Sequence, residues 1–472
     1  MMKITSELNE KIRTFIEAQE QPMIDDIIRL IAIPSLRAQE SSAYPFGPAV
    51  AQALDAALAL ANACGFETEN HDYFYGSCTL RGLQGGKTLG MVCHLDVVPA
   101  GDGAWSRPPF EGYVKDGYIV GRGSTDNKGP LGAALYVMKF FKESGIPLKN
   151  DLRLIFGCDE ESGMQDMEHL LATDPAVPCF TLVPDAPFPV CYAEKGRLEF
   201  TAKAKLAGNL DALHAGEAAN STPASARAIL SGVSLECARA QLSGCDVAVE
   251  ARGDEIEVSA RGVSKHTATP EGAVDALNIL ARALCGSKLL TEPAQRMMQA
   301  LSGFTDGHNG EGFGIAYSEK VLGSLTHSCS LAQTQDGELT VRCDVRYPAG
   351  ARFEGMRESI RRALDTAGFT LCSIEDNAPN YVDPNSEIVQ ALAAIANEQM
   401  GTDFPPVAMN GGTYARKLPR AVGYGPSRPD IKKPFPQGHG WAHQTDEAVR
   451  IANLTDMIKT YIPALMMLDA QI

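Results

Sequence analysis

Acidic and histidine side chains follow several apolar segments of the chain, each at the point where a buried strand is predicted to end. They are His94 and Asp96 after Met91–Cys93, Glu160 and Glu161 after Leu152–Cys158, and Asp185 after Cys179–Val183. Short apolar strands of this kind are typical of a parallel sheet covered on both faces. The carboxyl ends of such strands lie at one edge, where open α/β sheets place their ligand sites. The sequence therefore predicts that these side chains meet at one site.

Collecting so many carboxylates at one sheet edge costs several kcal/mol unless cations lie between them or their pKa values rise. Asp159 directly precedes the Glu160-Glu161 pair, and Asp126 is expected nearby. A solvated acidic turn is the simpler interpretation of any one of these residues by itself. It suits the whole set poorly, because acids and a histidine follow consecutive strands. A divalent metal site is therefore favoured.

Asp126 lies in a glycine-rich loop, Gly121–Gly129, whose backbone allows close approach and so raises the alternative of a phosphate cradle. The glycine spacing fits neither the P-loop nor the dinucleotide-binding pattern. A carboxylate on a tight loop is better suited to bridging two metals. His443, just before an apolar helical start, supplies a second imidazole. Two imidazoles and three carboxylates suit zinc, cobalt or manganese, whereas calcium would take more oxygen ligands and no histidine.

Hydrophobic periodicity predicts the elements that position these residues. In the first part of the chain we expect a helix capped by Thr5 or Ser6, a second helix over Met23–Ile31, a third from Pro48 to Cys64, a hairpin over Tyr113–Val120 and a helix from Pro130 to Gly145. Near the end of the chain we expect helices over Ser386–Gln399 and from about Asn453.

The length of 472 residues predicts more than one domain, since single cores stop growing near roughly 250 to 300 residues. From about Glu194 the pattern changes to alternating, half-exposed strands. These strands are expected over 199–205, 255–260 and 339–345, with helices over 224–235, 272–285 and 353–364. The fold class predicted is α/β: a catalytic domain with a mostly parallel, covered sheet, formed by 1–193 and 381–472, and an inserted α+β lid domain over 194–380.

Composition excludes several classes of protein. The net charge of -16 argues against nucleic acid and anionic membranes as partners, because both require a basic surface. Neither an apolar leader in the first residues nor an apolar stretch long enough to span a membrane is present, which favours the cytoplasm. The 12 cysteines are scattered without a Cys-x-x-Cys pair, so free thiols in a reducing compartment are expected instead of disulfides or a thiolate zinc site.

Taken together, the motifs resemble one enzyme family. Met91–Asp96, the Asp126 loop, Glu160-Glu161, Asp185, His266 and His443 are similar in type and order to motifs of the dinuclear metallopeptidase and deacylase family that includes glutamate carboxypeptidase, aminoacylase and succinyl-diaminopimelate desuccinylase. Within that family, the long insert and the segments Pro184–Pro189 and Gly412–Arg416 resemble bacterial broad-specificity dipeptidases, relatives of the carnosine-cleaving enzymes. The resemblance covers nearly the whole chain.

The resemblance implies two divalent metal ions, zinc first and manganese or cobalt as alternatives. One metal would be held by His94, Asp126 and Asp185, and the other by Asp126, Glu161 and His443, with Asp126 bridging. Asp96 would orient His94 through its second ring nitrogen. A water shared by the metals would be the nucleophile, and Glu160 the general base that passes its proton to the leaving amine. Asp159 departs from the small or neutral residue usual at its position, with no consequence expected.

In the insert, His266 by itself would be read as a structural loop histidine, but the resemblance implies that it stabilises the developing oxyanion, with Asn220 assisting. Arg346 would otherwise be a solvated arginine; in the family a matching arginine grips the C-terminal carboxylate of the substrate. Arg416 and the amides of Gly412 and Thr413 are rival anchors for that charge.

The function expected is hydrolysis of short peptides with free termini by a metal-dependent dipeptidase. An N-acyl amino acid deacylase and a tripeptide aminopeptidase of the same family are alternatives, and a non-catalytic peptide-binding protein is a third. Glu160 argues against the last, because a binding protein has no use for a base. The partner is a small peptide substrate. A monomer is favoured over a dimer, since an insert of roughly 190 residues is long enough to bring His266 over the site from within one chain.

Overall fold

The computed structural model describes residues 5–39 and 43–472. Residues 1–4, on which the prediction about an apolar leader partly depends, lie outside them. The chain forms two compact units. The first contains residues up to Ala193, Asn380–Ala408 and Thr413–Ile472, and the second contains Glu194–Pro379 and Met409–Gly412. The short segment 409–412, which the sequence analysis placed in the catalytic domain, thus belongs to the second unit.

A nine-stranded sheet forms the centre of the first unit. Its main path runs in the order Glu67–His71, Tyr75–Leu80, Asp151–Gly157, Thr88–His94, Phe180–Val183, Ala421–Gly423, Cys191–Glu194 and Asn380–Tyr381, and Val407–Met409 pairs with Cys191–Glu194. The four strands from Asp151–Gly157 to Ala421–Gly423 are parallel to one another, and antiparallel strands flank them. The α/β fold class is confirmed.

Helices that bury at least one face accompany this sheet. They are Ser6–Ile31, Pro48–Ala63, Lys128–Ser144, Gln165–Thr173, Glu387–Met400 and Ile451–Gln471. The two separate helices predicted before Pro34 were wrong: one helix runs through Pro22, with Leu8, Ile12 and Ile16 buried before the proline and Met23 and Ile27 after it. Burial of one continuous apolar stripe outweighs the hydrogen bond that the proline removes.

Small ladders complete the first unit. The predicted hairpin is confirmed as Tyr113–Lys115 and Tyr118–Val120, with Ala448–Arg450 paired to its second strand. Ala186–Pro187 pairs with Pro426–Ser427, and Tyr414–Arg416 forms one turn of 3₁₀-helix. The pairing of Ala448–Arg450 with the hairpin brings the segment after His443 beside the strand that leads into the Asp126 loop.

An antiparallel eight-stranded sheet is the main element of the second unit. Its order is Ala248–Arg252, Glu255–Arg261, Ser225–Leu230, Leu210–Ala215, Thr326–Gln335, Glu338–Tyr347, Gly196–Lys205 and Thr370–Asn377. The helices are Leu235–Gln241, Ala276–Cys285, Glu292–Phe304 and Phe353–Thr366; a 3₁₀ turn covers Glu311–Phe313, and Ser318–Glu319 pairs with Gly323–Ser324. Leu280, Met298, Ile360 and inward-facing strand residues share one core.

The helix predicted over 224–235 was wrong. Ser225–Leu230 is a strand that pairs on both sides, with Ala226, Ala228 and Leu230 buried at every second position. Alanine favours helix intrinsically, but two neighbouring strands and a buried face decide the conformation here. Among the described residues, no helix is long and apolar enough to cross a membrane.

Candidate metal centre and active site

The carboxylate of Asp126 lies between two imidazoles in the first unit. Its Oδ1 is 2.7 Å from Nε2 of His94, and its Oδ2 is 3.1 Å from Nε2 of His443. The Oε2 atom of Glu161 is 3.0 Å from the same nitrogen of His443, and Oδ2 of Asp185 is 3.8 Å from Nε2 of His94. The five side chains predicted as metal ligands thus form two groups that share Asp126.

The donor set and its spacing fit divalent cations. Ligand atoms of His94, Asp126 and Glu161 all lie within 4.8 Å of one another. Nitrogen and oxygen donors at these separations can converge on a cation with metal–ligand bonds near 2 Å. Burial would raise the pKa of Asp126, but hydrogen bonds with His443 and His94 hold it well below its usual range. The side chain is therefore an anion, as a bridging ligand must be.

A buried ion pair fixes the backbone of the Asp126 loop. Oε1 of Glu447 accepts hydrogen bonds from the amides of Thr125 at 2.9 Å and Asp126 at 3.0 Å. Its Oε2 accepts one from Nη1 of Arg122 at 2.6 Å, and both side chains of this pair are 1% exposed or less. Sequence reasoning missed this pair because its members are far apart in the chain. The only local signal was the position of Glu447 four residues after His443.

Asp96 lies beside the second ring nitrogen of His94. Nδ1 of His94 lies 2.9 Å from the backbone oxygen of Asp96 and 3.5 Å from its Oδ1. The carboxylate of Asp96 accepts hydrogen bonds from the amides of Glu160 at 3.1 Å and Glu161 at 3.0 Å. Asp96 thus connects one strand end to the next, because it lies against Nδ1 of the histidine while its carboxylate holds the amides of the adjacent glutamates.

Glu160 lies within the electrostatic field of the same cluster. Burial raises its pKa well above the ordinary value, and the negative charges of Glu161, Asp185 and Asp126 raise it further against the opposing charge of His94. Burial and the charge of Asp126 also raise the pKa of Glu161, to about 7. A carboxyl group with a raised pKa can take up and return a proton near neutrality, which is the property required of a general base.

A second buried network lies beneath His94. The hydroxyl of Tyr414 donates to Oδ2 of Asp166, an oxygen that also accepts the amides of Cys158 at 2.7 Å and Asp159 at 3.0 Å. The tyrosine ring meets the His94 ring edge-on, with centroids 6.3 Å apart. A Cβ at Gly157 would lie 2.2 Å from the tyrosine oxygen, so only glycine fits there. This network holds the strand end that precedes Glu160.

The second unit brings Asn220 and His266 together. Ser221 and His266 form an isolated antiparallel bridge, and the amide of Thr267 donates to the backbone oxygen of Asn220 at 2.9 Å. The amide of Ala268 donates to Nδ1 of His266 at 3.1 Å. Because Nδ1 accepts this hydrogen bond, the ring proton of a neutral His266 is on Nε2. The imidazole is exposed and has the tautomer that an oxyanion donor needs.

The four predicted carboxylate anchors lie in different settings. Arg346 is 7% exposed, and its Nε donates to Oδ2 of Asp344 at 3.2 Å, so it is a buried, ion-paired arginine and not a solvated one. Arg416 is half-buried; its Nε and Nη1 have no hydrogen-bond acceptor among the described residues. The hydroxyl of Thr413 accepts the amide of Ala415 at 3.1 Å, while Gly412 belongs to the second unit.

Residues 90–466 match the family described as Peptidase family M20/M25/M40. The chain belongs to this family. Over 466 residues it is also 29% identical to YtjP of Bacillus subtilis (strain 168), a protein provisionally named a dipeptidase, with 95% of this chain and 97% of the relative covered. The membership predicted from the motifs is therefore confirmed, and the protein is a metallopeptidase.

Two solved structures show the M20 fold over nearly the whole chain. The dipeptidase Dug1p from Saccharomyces cerevisiae superimposes with a TM-score of 0.61 at 16% identity, covering 98% of each chain. Human carnosine dipeptidase 1 superimposes with a TM-score of 0.59 at 15% identity, covering 98% of this chain and 99% of the carnosine dipeptidase chain. The M20 family and the convergence of His94, Asp126 and Glu161 support divalent metal ions as the cofactor.

Proposed function

We propose that this protein is a dipeptidase that hydrolyses short peptides with free termini, using two divalent metal ions. The observation that supports it most strongly is the position of Asp126, which presents one carboxylate oxygen to His94 and the other to His443. The similarity to YtjP over nearly the full chain supports the substrate class.

The chain's own residues are suited to hold the ions. His94, Asp126 and Asp185 would bind one, and Asp126, Glu161 and His443 the other, most suitably zinc, with manganese and cobalt as alternatives. When bound, such ions polarise the scissile carbonyl and lower the pKa of an attacking water. Asp96 keeps the ligands aligned through its contacts with His94 and with the amides of Glu160 and Glu161.

Glu160 carries the proton in this proposal. Its carboxylate takes a proton from the attacking water and delivers it to the nitrogen of the leaving amine, so the group returns to its starting form. The adjacent glutamates have separate roles. His443 holds Glu161 at 3.0 Å, whereas no side chain in the described part of the chain hydrogen-bonds to the carboxylate of Glu160, which can therefore move with the proton.

Of the remaining groups in the proposal, His266, Asn220, Arg346 and Gly412 belong to the second unit, and Arg416 and Thr413 to the first. Nε2–H of His266, assisted by Asn220, would donate to the oxygen that becomes negative during attack. Arg346 would bind the C-terminal carboxylate of the peptide as a charge-assisted pair, with Arg416, Gly412 and Thr413 as alternative anchors. Alanine variants of Arg346 and Arg416, compared by their KM for one dipeptide, separate these two arginines.

The decisive experiment removes the proposed base and keeps the metals. Glu160→Gln, loaded with zinc or manganese, should lose about 10² to 10⁴ in kcat, while elemental analysis finds the wild-type metal content. Undiminished turnover with metal bound would refute the mechanism. An inactive wild-type enzyme that binds peptides would support the non-catalytic alternative.

The substrate class is tested with a panel of dipeptides, N-acetylated amino acids and tripeptides. Turnover of dipeptides well above the other two classes is expected. Hydrolysis of acylated amino acids alone would identify a deacylase, and hydrolysis of tripeptides alone a tripeptide aminopeptidase.

We also propose an active monomer in the cytoplasm. The second unit of this chain carries its own His266, and all 12 cysteines are free, as expected in a reducing compartment. Sedimentation and activity measured over a hundredfold dilution should both show a concentration-independent monomer. Activity that appears only with dimer formation would contradict the proposal.

A further inference from the structure

A cavity of about 580 Å³ lies within the second unit, near residues already proposed to bind substrate. Lys195, Glu271, His308, Asn309, Thr326 and Asn410 are among the residues that line it. Ala268 also lines it and donates its amide to His266, while Asn410 is two residues before Gly412. The cavity thus adjoins the proposed oxyanion donor and one of the proposed carboxylate anchors.

Lys195 is a buried cation in the wall of this cavity. The residue is 3% exposed, and Nζ donates one hydrogen bond, to the backbone oxygen of Ser324 at 2.7 Å. No carboxylate in the described part of the chain forms an ion pair with it; Glu271, the acid on the cavity wall, is exposed. Burial and then the charge of Arg346 lower its pKa, against the opposing charge of Glu271. An ammonium group with spare donors and no ion-pair partner favours an anionic ligand.

Thr326 connects this cavity to Arg346. The two residues are directly opposite in the antiparallel pairing of Thr326–Gln335 with Glu338–Tyr347, so their side chains share one face of the sheet. Oγ1 of Thr326 is buried without a hydrogen-bond partner among the described residues. A buried hydroxyl without a partner destabilises the fold unless a ligand or a water forms a hydrogen bond with it. The cavity wall therefore offers an ammonium and a hydroxyl beside the arginine.

We propose that this cavity is the subsite for the side chain of the substrate's C-terminal residue, and that it selects a carboxylate. The preferred substrates are then dipeptides that end in Asp or Glu: Arg346 takes the terminal carboxylate, and Lys195 with Thr326 takes the side-chain carboxylate. This assignment rests on the proposed dipeptidase function.

The test compares Ala-Glu with Ala-Gln, which have nearly the same shape and differ in charge. The metal-loaded wild type should have a kcat/KM for Ala-Glu about tenfold or more above that for Ala-Gln, since hydrogen bonds to a charged group are stronger than those to a neutral one. Lys195→Met should lower kcat/KM for Ala-Glu by about tenfold or more and change kcat/KM for Ala-Gln by less than about threefold. Glu-Ala and Gln-Ala should not be distinguished.

Two further variants separate recognition from folding. Lys203→Met removes a lysine that is 45% exposed from Gly196–Lys205, the strand that begins directly after Lys195, and should leave kcat/KM for both substrates unchanged. Thr326→Val replaces the hydroxyl with a methyl group. It should lower kcat/KM for Ala-Glu by about threefold and leave kcat/KM for Ala-Gln unchanged. If Lys195→Met does not fold, Thr326→Val provides the test.

Each other outcome contradicts the assignment. If Lys195→Met lowers kcat/KM equally for Ala-Glu and Ala-Gln, the lysine only supports the fold. A preference for Glu-Ala would place the acidic side chain at the other end of the peptide. If no dipeptide is hydrolysed, the proposed function fails; the subsite is then tested by calorimetric binding of the same four peptides to the metal-loaded enzyme, where equal affinities would overturn it.

Discussion

Nη1 of Arg37 donates a hydrogen bond to Oδ1 of Asp159, a carboxylate that is completely buried and directly precedes Glu160. Oδ2 of the same carboxylate accepts the amide of Gln165 at 3.0 Å. Two residues before Arg37, the hydroxyl of Ser35 donates to the backbone oxygen of Leu95 at 2.6 Å. The segment 35–37 therefore holds two neighbouring strand ends, the one that carries His94 and the one that carries the glutamate pair.

Arg37→Met should reduce both stability and turnover, contrary to the sequence expectation that Asp159 has no consequence for the site. Removing the guanidinium leaves a buried carboxylate without its cation, so we expect the free energy of unfolding to fall by about 1 to 3 kcal/mol. Misplacement of the glutamates should lower kcat by about tenfold with little change in KM.

Denaturant unfolding and steady-state kinetics measure both effects. Arg29→Met, which removes an arginine that is 70% exposed and paired with Asp26, serves as the control. Adding Asp159→Asn to Arg37→Met should recover part of the lost stability, because the unpaired charge is then removed. A double variant no more stable than the single one would contradict the ion-pair explanation.

Glu447→Gln tests the buried pair behind the Asp126 loop. An amide cannot accept from the amides of Thr125 and Asp126 and also from Arg122, so one set of donors loses its partner. We expect metal affinity to fall by about 10- to 100-fold, as for other groups that support metal ligands. Metal titration followed by activity measures the change. Glu168→Gln, at a side chain that is 58% exposed, should titrate like the wild type.

Metal content distinguishes a bridging ligand from one that serves a single ion. Chelation should abolish hydrolysis, and zinc, manganese or cobalt should restore it and raise the melting temperature, since a ligand of the folded state stabilises that state. Asp126→Ala should lose both metals per chain, whereas His443→Ala should keep one. Elemental analysis after gel filtration gives these ratios, and an Asp126→Ala protein that keeps one tight metal would argue against bridging.

The stability of the second unit should depend on the protonation of Asp275. This residue is 8% exposed and caps the helix Ala276–Cys285 by accepting the amides of Leu277 and Asn278. Burial raises its pKa to about 6, above the roughly 3.9 of an unfolded chain. The folded state therefore binds the proton of Asp275 more tightly than the unfolded chain does. The stabilisation from this proton is fully present below about pH 4 and is lost as the pH rises through about 6.

Asp275→Asn keeps a capping oxygen and removes the titration. The free energy of unfolding of the variant minus that of the wild type should therefore grow between pH 4 and pH 7, by about 1 to 3 kcal/mol. Denaturant unfolding at several pH values measures the difference. A difference that stays constant over this range would show that Asp275 does not titrate in this way.

Local sequence patterns were sufficient for most elements of the fold. Alternating or continuous apolar residues, caps and turns depend on neighbours a few positions away, so Pro48–Ala63, Tyr113–Val120 and Glu387–Met400 could be predicted closely. Ser225–Leu230 could not, because its strand conformation depends on partners at 210–215 and 255–261. The helix through Pro22 likewise depends on the apolar stripe that it buries.

The sequence by itself was enough to predict a metal centre and the family: His94, Glu160, Glu161 and Asp185 lie where predicted strands end, Asp126 and His443 lie in loops, and family motifs extend over the chain. Only the tertiary structure decided which atoms support them. The pairs Arg37–Asp159 and Arg122–Glu447 and the position of Thr326 opposite Arg346 join residues far apart in the chain. Such contacts follow from packing of whole elements, and no local periodicity encodes them.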